Sequence, residues 1–402
     1  MDEAARTLIV GAGLAGSALA MHLAERGEQE VVVIDPDMAG ARSSSELNAG
    51  GVRATWWQPV NVELCAHTID FLRAEGERVG FRPRGYLWLY GADLWDGAVA
   101  ATRLQNRFGR QVELLDPAAV ARRWPFIDRL DGIVGATFSP LDGLVDANAV
   151  KELFRERARA AGARFLDRRL LVGVEREGTV ARAARVRLLP DQDAAHGALV
   201  GSEARGTDER LSFEHIVNAA GPWAAPVTEM LGAPIPCRAV RRQVSVVATR
   251  DVDLSEYGMV VDTTGLYFHH EAGDLMLAGF SPPDDPPGYS FRYDGRRFFE
   301  EEIWPRLAAR SSAMDRLDHV RGWAGLYELS PDNSALVGAA QGLDNAYEIH
   351  SFSGRGVMQS YAAALSLAEL MTDGAYVSFP DTAALAGSRF TRGALQPEEL
   401  HI

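Results

Sequence analysis

The stretch TLIV (7–10), GAGLAG (11–16) and SALAMHLAERG (17–27) constrains this chain more than any other. A short buried-strand run, a glycine turn and a helical pattern follow one another, and VVVI (31–34) then gives a second buried strand ending at Asp35. Gly11, Gly13 and Gly16 stand at GxGxxG spacing. Glycines at these places allow a tight turn, close approach of the backbone to a pyrophosphate and tight packing of helix on strand. The unpaired N–H groups of the first helical turn, at Leu14 and Ala15, face the anion. An acid about 20 residues further on can hold ribose hydroxyls. The pattern predicts a βαβ dinucleotide unit within an α/β fold. It does not separate FAD from NAD, although its place ahead of a long remainder favours a flavin that stays bound.

With 402 residues, 47% of them hydrophobic, the chain can bury a large core and divides into two or three domains. Of its 41 basic residues only Lys151 is lysine, which excludes a Schiff-base enzyme, a P-loop and a kinase, each of which needs a working lysine. Lys151 itself lies in VDANAVKELFRERARAA, an amphipathic helical pattern, where a solvated surface position is expected. The net charge of −14, with arginines clustered only as pairs such as Arg241-Arg242, argues against nucleic acid. Two cysteines, Cys65 and Cys237, and no HExxH pair leave neither a disulfide framework nor a metal site, which fits a cytoplasmic protein. Leu8–Ala24 holds three glycines and His22 and lacks a basic leader, so neither an integral membrane segment nor a signal peptide is expected.

Residues 41–59, ARSSSELNAGGVRATWWQP, cannot form a regular element, yet they carry Arg53, Trp56 and Trp57 and lead into a helical pattern from Pro59. Further along stand LDGLVDANAV (141–150), VNAAGPWA (217–224), WAGLYELSPDNSALVG (323–338) and HSFSGRGVMQSYAAALSLAELM (350–371). Taken in this order with GAGLAG and Asp35, these motifs resemble the FAD-dependent D-amino acid oxidase superfamily, in particular its sarcosine and glycine oxidase and dimethylglycine dehydrogenase-like branch. The resemblance runs nearly end to end. It implies a Rossmann-like FAD-binding domain (1–84, 144–233 and 331–402) interleaved with a mixed-sheet substrate-binding domain (85–143 and 234–330), α+β overall. Residues 190–212 read as a polar surface excursion.

On this resemblance, FAD contacts are expected at Gly11, Gly13, Leu14, Ala15, Gly16 and Asp35, then at Ser43, Ser44, Asn48, Gly50 and Gly51. Ala220, Gly221, Trp223 and Gly325 follow, and Gly354, Arg355, Gly356, Val357 and Met358 face the flavin, where a helix N-terminus stabilises the anionic reduced ring. Arg355 is the first choice for a bidentate substrate-carboxylate anchor and Arg53 the second. Tyr267 and Tyr327 are expected in the substrate pocket. His269, two residues from Tyr267 on a strand, projects with it and is either a candidate proton acceptor or a satisfied structural histidine, while His350 matches nothing in the family.

Three departures refine this picture. Relatives attach flavin through a histidine at the place of Asn48 or a cysteine near Gly325, so noncovalent FAD is implied here. Oxidases of the family set a lysine above the flavin, and that position is about Leu277, which favours dehydrogenase over oxidase. The implied reaction is oxidation of a C–N bond of an amino acid or N-alkyl amino acid to an imine, by hydride transfer to flavin N5, with oxygen or another acceptor taking the electrons. A 2-hydroxy acid dehydrogenase relying on His269 or His350, and a non-catalytic FAD-binding assembly factor, are the alternatives. Oligomeric state stays open.

Overall fold

The computed structural model describes residues 3–400. Among these, two eight-stranded sheets dominate. In the first, Glu3–Val10 lies parallel to Val31–Ile34 on one side and to Thr207–Asn218 on the other. Arg164–Leu166 continues the sheet beyond Val31–Ile34, and Ala346–His350 with antiparallel Leu336–Ala339 continues it beyond Thr207–Asn218. Val10 pairs with both Ile34 and Asn218, so three strands finish level at their C-terminal ends. Open α/β sheets bind ligands at such ends.

Val31–Ile34 is buried at every residue, as a strand covered on both faces must be. One face carries the helices Leu14–Glu25, Pro59–Glu75, Ala147–Ala160 and Gly356–Asp373, which share the largest hydrophobic core. The other carries the hairpin Arg169–Glu177 and Val180–Leu188 together with the helix Ala224–Leu231. Local chemistry sets the helix ends: Asp146 accepts the amides of Asn148 and Ala149, and Gly374 at φ +77° stops the long helix.

The second sheet runs in the order Leu317–Leu329, Arg238–Thr249, Leu275–Phe280, Tyr267–Ala272, Met259–Val261, Tyr86–Tyr90, Gly135–Ser139, Glu113–Leu115. Its strands alternate, with register irregularities between Val246 and Val247 and between His270 and Ala272. Leu87, Leu89 and Phe268 enter an outer core with Trp124 and Phe298, whereas Tyr86, Trp88, Tyr90 and Tyr267 share the opposite face.

Two expectations are corrected. Lys151 is buried, paired with Glu46, rather than solvated. Its helix turns it and Arg155 toward the loop after Val31–Ile34, where Arg155 donates to the carbonyls of Met38 at 2.9 Å and Ala12 at 2.5 Å. Residues 190–212 contain the helix Gln192–Leu199 and the start of the strand Thr207–Asn218, and the helix packs inward instead of forming a bare excursion.

The C-terminal tail ties these parts together. Asp332 takes two hydrogen bonds from Arg389, at 2.8 and 2.9 Å, and one from the Gln396 amide at 2.9 Å. Glu398, buried, accepts the amides of Trp57 and Gln58 just ahead of helix Pro59–Glu75, and the Leu400 carbonyl accepts from Arg53 at 2.9 Å. Arg389→Ala leaves the Asp332 carboxylate buried without its partner, and a loss of about 3–5 kcal/mol is expected in urea unfolding. A loss below about 1 kcal/mol, the size of a surface pair, would contradict this packing.

Candidate cofactor and substrate site

The glycine turn is a steric necessity. Gly11 sits at φ +108°, and a Cβ there would overlap the carbonyl oxygen of Ala219. One on Gly16 would overlap the carbonyl of Gly11, so Gly16 serves the crossing of helix on strand and stands behind the cavity wall rather than in it. Gly13, Leu14 and Ala15 line the cavity directly, with the Leu14 amide donating to Ser45 Oγ at 3.2 Å. Asp35 accepts the Ala12 amide at 2.7 Å and the Asp37 amide at 2.8 Å, and burial pushes its carboxyl up to about 6.

From this cradle a cavity of about 560 Å³ extends between the two sheets. Its first end lies against Leu170–Val172 and Met230 and is covered by Ala198 and Leu199 of the helix Gln192–Leu199. That helix is held by a hydrogen bond from the Trp223 indole to the Leu199 carbonyl, 2.8 Å, and by contacts of Gln192 and His196 with Asp37. Ser43, Ser44, Asn48, Ala220, Gly221 and Trp223 form the middle. Gly325, Gly354, Gly356 and Val357 border the far end, where Tyr267 and Tyr327 stand. The two tyrosines also wall a second chamber of about 50 Å³, completed by Gly50, Gly51, Arg53, Trp56, Tyr86, Met259 and Met358.

The structure thus gathers most of the expected residues, but not three of the reactive ones. Arg355 lines neither cavity: its guanidinium donates to the Asn333 carbonyl and lies 4.8 Å from the Trp56 ring. Being the residue just ahead of the helix Gly356–Asp373, it turns its side chain into the core while its glycine neighbours face the cavity. Arg53 reaches the smaller chamber but is committed to the carbonyls of Thr55 and Leu400, each at 2.9 Å, and to the faces of Trp56 and Trp88 at 3.5 and 4.4 Å. It is a structural floor of the chamber. His269 sits on the same side of its strand as Tyr267, yet both ring nitrogens meet backbone carbonyls, of His270 at 2.7 Å and Ala49 at 2.8 Å, and burial holds it below its ordinary pKa. It has no free nitrogen to offer a substrate.

At the Tyr327 end the cavity wall carries Arg242, which the sequence analysis did not place among the site residues; Arg169 also lines the wall, paired with Glu209 at 2.8 Å. Arg242 lies on Arg238–Thr249 opposite Gly325, 5.4 Å from the Tyr327 ring, and shares the cavity wall with Val244. The signal was present: Arg242 keeps the period-two register of Val244 and Val246, which places a charge on an apolar strand face. Burial lowers its pKa and raises those of Tyr267 and Tyr327, so both phenols stay neutral at ordinary pH. Leu277 packs with Val244 and Val246.

A glycine turn lining the cavity, a partly buried acid beside it and an elongated cavity at level strand ends fit a dinucleotide. The family model described as DAO, FAD dependent oxidoreductase, matches residues 6–370. The chain belongs to this family. Its sequence is 28% identical over 411 residues to FAD-dependent oxidoreductase domain-containing protein 1 of Xenopus laevis, covering 93% of this chain and 80% of that one. It is 23% identical to 4-methylaminobutanoate oxidase (formaldehyde-forming) of Paenarthrobacter nicotinovorans, with 92% of this chain against 44% of the relative. Among solved structures, L-proline dehydrogenase from P. horikoshii superposes with a TM-score of 0.84 at 23% identity, covering 98% of this chain and 100% of that one. Glycine oxidase from Geobacillus kaustophilus does so with 0.77 at 19%, covering 96% and 99%. These likenesses show the fold.

The DAO-family protein is an FAD-dependent oxidoreductase. Asn48 binds the Gly50 amide and Gly325 has no side chain, so neither presents a nucleophile to the flavin. Among the described residues no group of three His, Cys, Asp or Glu could hold a metal ion, and no helix is long and apolar enough to cross a membrane. An Asp35 carboxylate that accepted ribose hydroxyls would give the cofactor site a pH dependence: binding would lower a pKa that starts near 6, so the affinity would rise as pH rises toward that value and level off above it. FAD titrations of the apoprotein should show Kd falling by up to about tenfold per pH unit on the acid side of 6. Asp35→Asn should bind more weakly with a flat profile, and a flat profile in the unaltered protein contradicts the role.

Proposed function

We propose that the protein oxidises a C–N bond of an amino acid or N-alkyl amino acid to an imine, with Arg242 holding the substrate carboxylate. Bound FAD supplies the acceptor for hydride. The observation that carries this reading is the state of Arg242: one guanidinium nitrogen donates to the Arg241 carbonyl at 2.8 Å, while its buried Nε has no partner. A partly desolvated cation with an unused donor favours a carboxylate, which can take two parallel hydrogen bonds. Tyr267 and Tyr327, neutral and flanking it, can donate to that carboxylate or accept from an amine.

Neither cavity is lined by a histidine among the described residues. An amine that enters with its lone pair free needs no protein base to lose hydride, whereas a hydroxyl does. This supports C–N over C–O chemistry, as do relatives named for dimethylglycine and 4-methylaminobutanoate. The small volume and aromatic walls of the smaller chamber suit a compact side chain. The same reading keeps residues 1–84, 144–233 and 331–402 as the FAD-binding part and 85–143 with 234–330 as the substrate part, in a cytoplasmic enzyme.

Simple carboxylates test the anchor without knowledge of the substrate. Acetate and propionate should perturb the visible flavin spectrum of the holoenzyme, and their amides should not. Arg242→Ala should weaken carboxylate binding by about tenfold to a hundredfold, the loss of a charged hydrogen bond of about 1.5–3 kcal/mol. An unchanged Kd in that variant removes Arg242 from the site.

A further inference from the structure

On the side of strand Leu317–Leu329 opposite Tyr327 lies a group of titratable side chains that neither the cofactor cradle nor the carboxylate anchor uses. Glu328 borders the large cavity: its Oε1 accepts the Phe352 amide at 3.3 Å, and its Oε2, closed to solvent and without a hydrogen-bond partner, sits 3.6 Å from where a Cβ on Gly221 would be. Behind it, Glu348 is 1% exposed with both carboxylate oxygens unpartnered, and His350, fully buried, places Nε2 3.7 Å from Glu348 Oε1. His350 Nδ1 meets Ser351 Oγ at 2.9 Å, and Ser351 in turn bonds the half-buried Cys237.

A carboxyl closed to solvent is costly to ionise, because an uncompensated ion loses its hydration. From strand Ala346–His350 it is His350 that acts on Glu328, and Cys237, from the crossover before Arg238, lies near both Glu328 and Glu348; the 351–355 loop contributes the amides of Ser351 and Phe352. Arg242 projects from the opposite face of its strand, with Gly325. Burial already holds the Glu328 carboxyl above the usual carboxylate range, against the pull of His350 and the amides of Phe352 and Ser351.

We propose that Glu328 takes up one proton from solvent whenever two electrons enter the bound FAD. Two electrons and one proton stay with the flavin, and the second proton converts the Glu328 carboxylate to the acid. Reoxidation releases it. The proposal rests on FAD binding and is independent of the substrate class, since any reductant serves.

Dye-linked midpoint potentials of the holoenzyme between about pH 7 and 9 test it, because a two-electron couple moves by about 30 mV per pH unit for each proton taken up. The unaltered enzyme should show about 60 mV per pH unit, and Glu328→Gln about 30 mV. A slope of about 30 mV in the unaltered enzyme overturns the proposal, as does a variant that keeps 60 mV or a slope lost only in Glu348→Gln. Should Glu328→Gln fail to hold FAD, the reduced-minus-oxidised infrared spectrum of the unaltered enzyme decides. A protonated-carboxyl C=O band must appear on reduction, and its absence contradicts the uptake.

Discussion

The crossing of the first strand, the first helix and the strand Thr207–Asn218 leaves no room for side chains at Gly11 and Gly16. Everything at the site follows from that contact. Because the backbones touch, the strand ends stay level, the first helical turn opens its amides toward the cavity, and Asp35 comes within hydrogen-bond reach of the Ala12 amide. Arg155 then closes the cradle from below through the carbonyl of the same residue. The dinucleotide end is therefore built from backbone, with side chains that only orient it.

The substrate end is built the other way, from side chains on a sheet face. Alternation along Tyr86–Tyr90, Tyr267–Ala272 and Arg238–Thr249 sends tyrosines, Trp88 and Arg242 toward the cofactor domain and leucines away from it. Arg53, Arg355 and Arg389 are buried in hydrogen bonds to carbonyls and Asp332, and the C-terminal tail is the common element that holds Arg53 and receives Asp332. In a chain with one lysine, arginine's rigid fork of donors serves as internal scaffolding as much as chemistry.

That double use decides what could be read from the residues alone. The glycine cradle, Asp35, the helices begun by Asp146 and Pro59 and the face of Tyr267 follow from short-range rules, and the structure places them accordingly. Arg355 was misplaced because flanking glycines mark where the backbone nears the cavity and say nothing of where the side chain turns. Lys151 was misread, and the two readings of His269 could not be told apart, for a related reason: Glu46, Ala49 and the carbonyls that satisfy them are brought in by tertiary structure, which local periodicity does not contain. Arg242 was legible as a charge in the period-two register of Val244 and Val246, whereas Glu328 carries its signal in an unpartnered atom, visible only once every neighbour is placed.

The central claim, that the family's flavin is used here to oxidise a C–N bond, is open to one direct measurement. The holoenzyme is mixed anaerobically with panels of amino acids, N-methyl amino acids, 2-hydroxy acids and simple amines, and the flavin absorbance is followed. Bleaching by amino or N-alkyl amino acids, and not by the hydroxy acids of the same carbon skeleton, is the expected result. Bleaching by the hydroxy acids instead contradicts it, and so does a flavin that no member of the panel reduces although dithionite does.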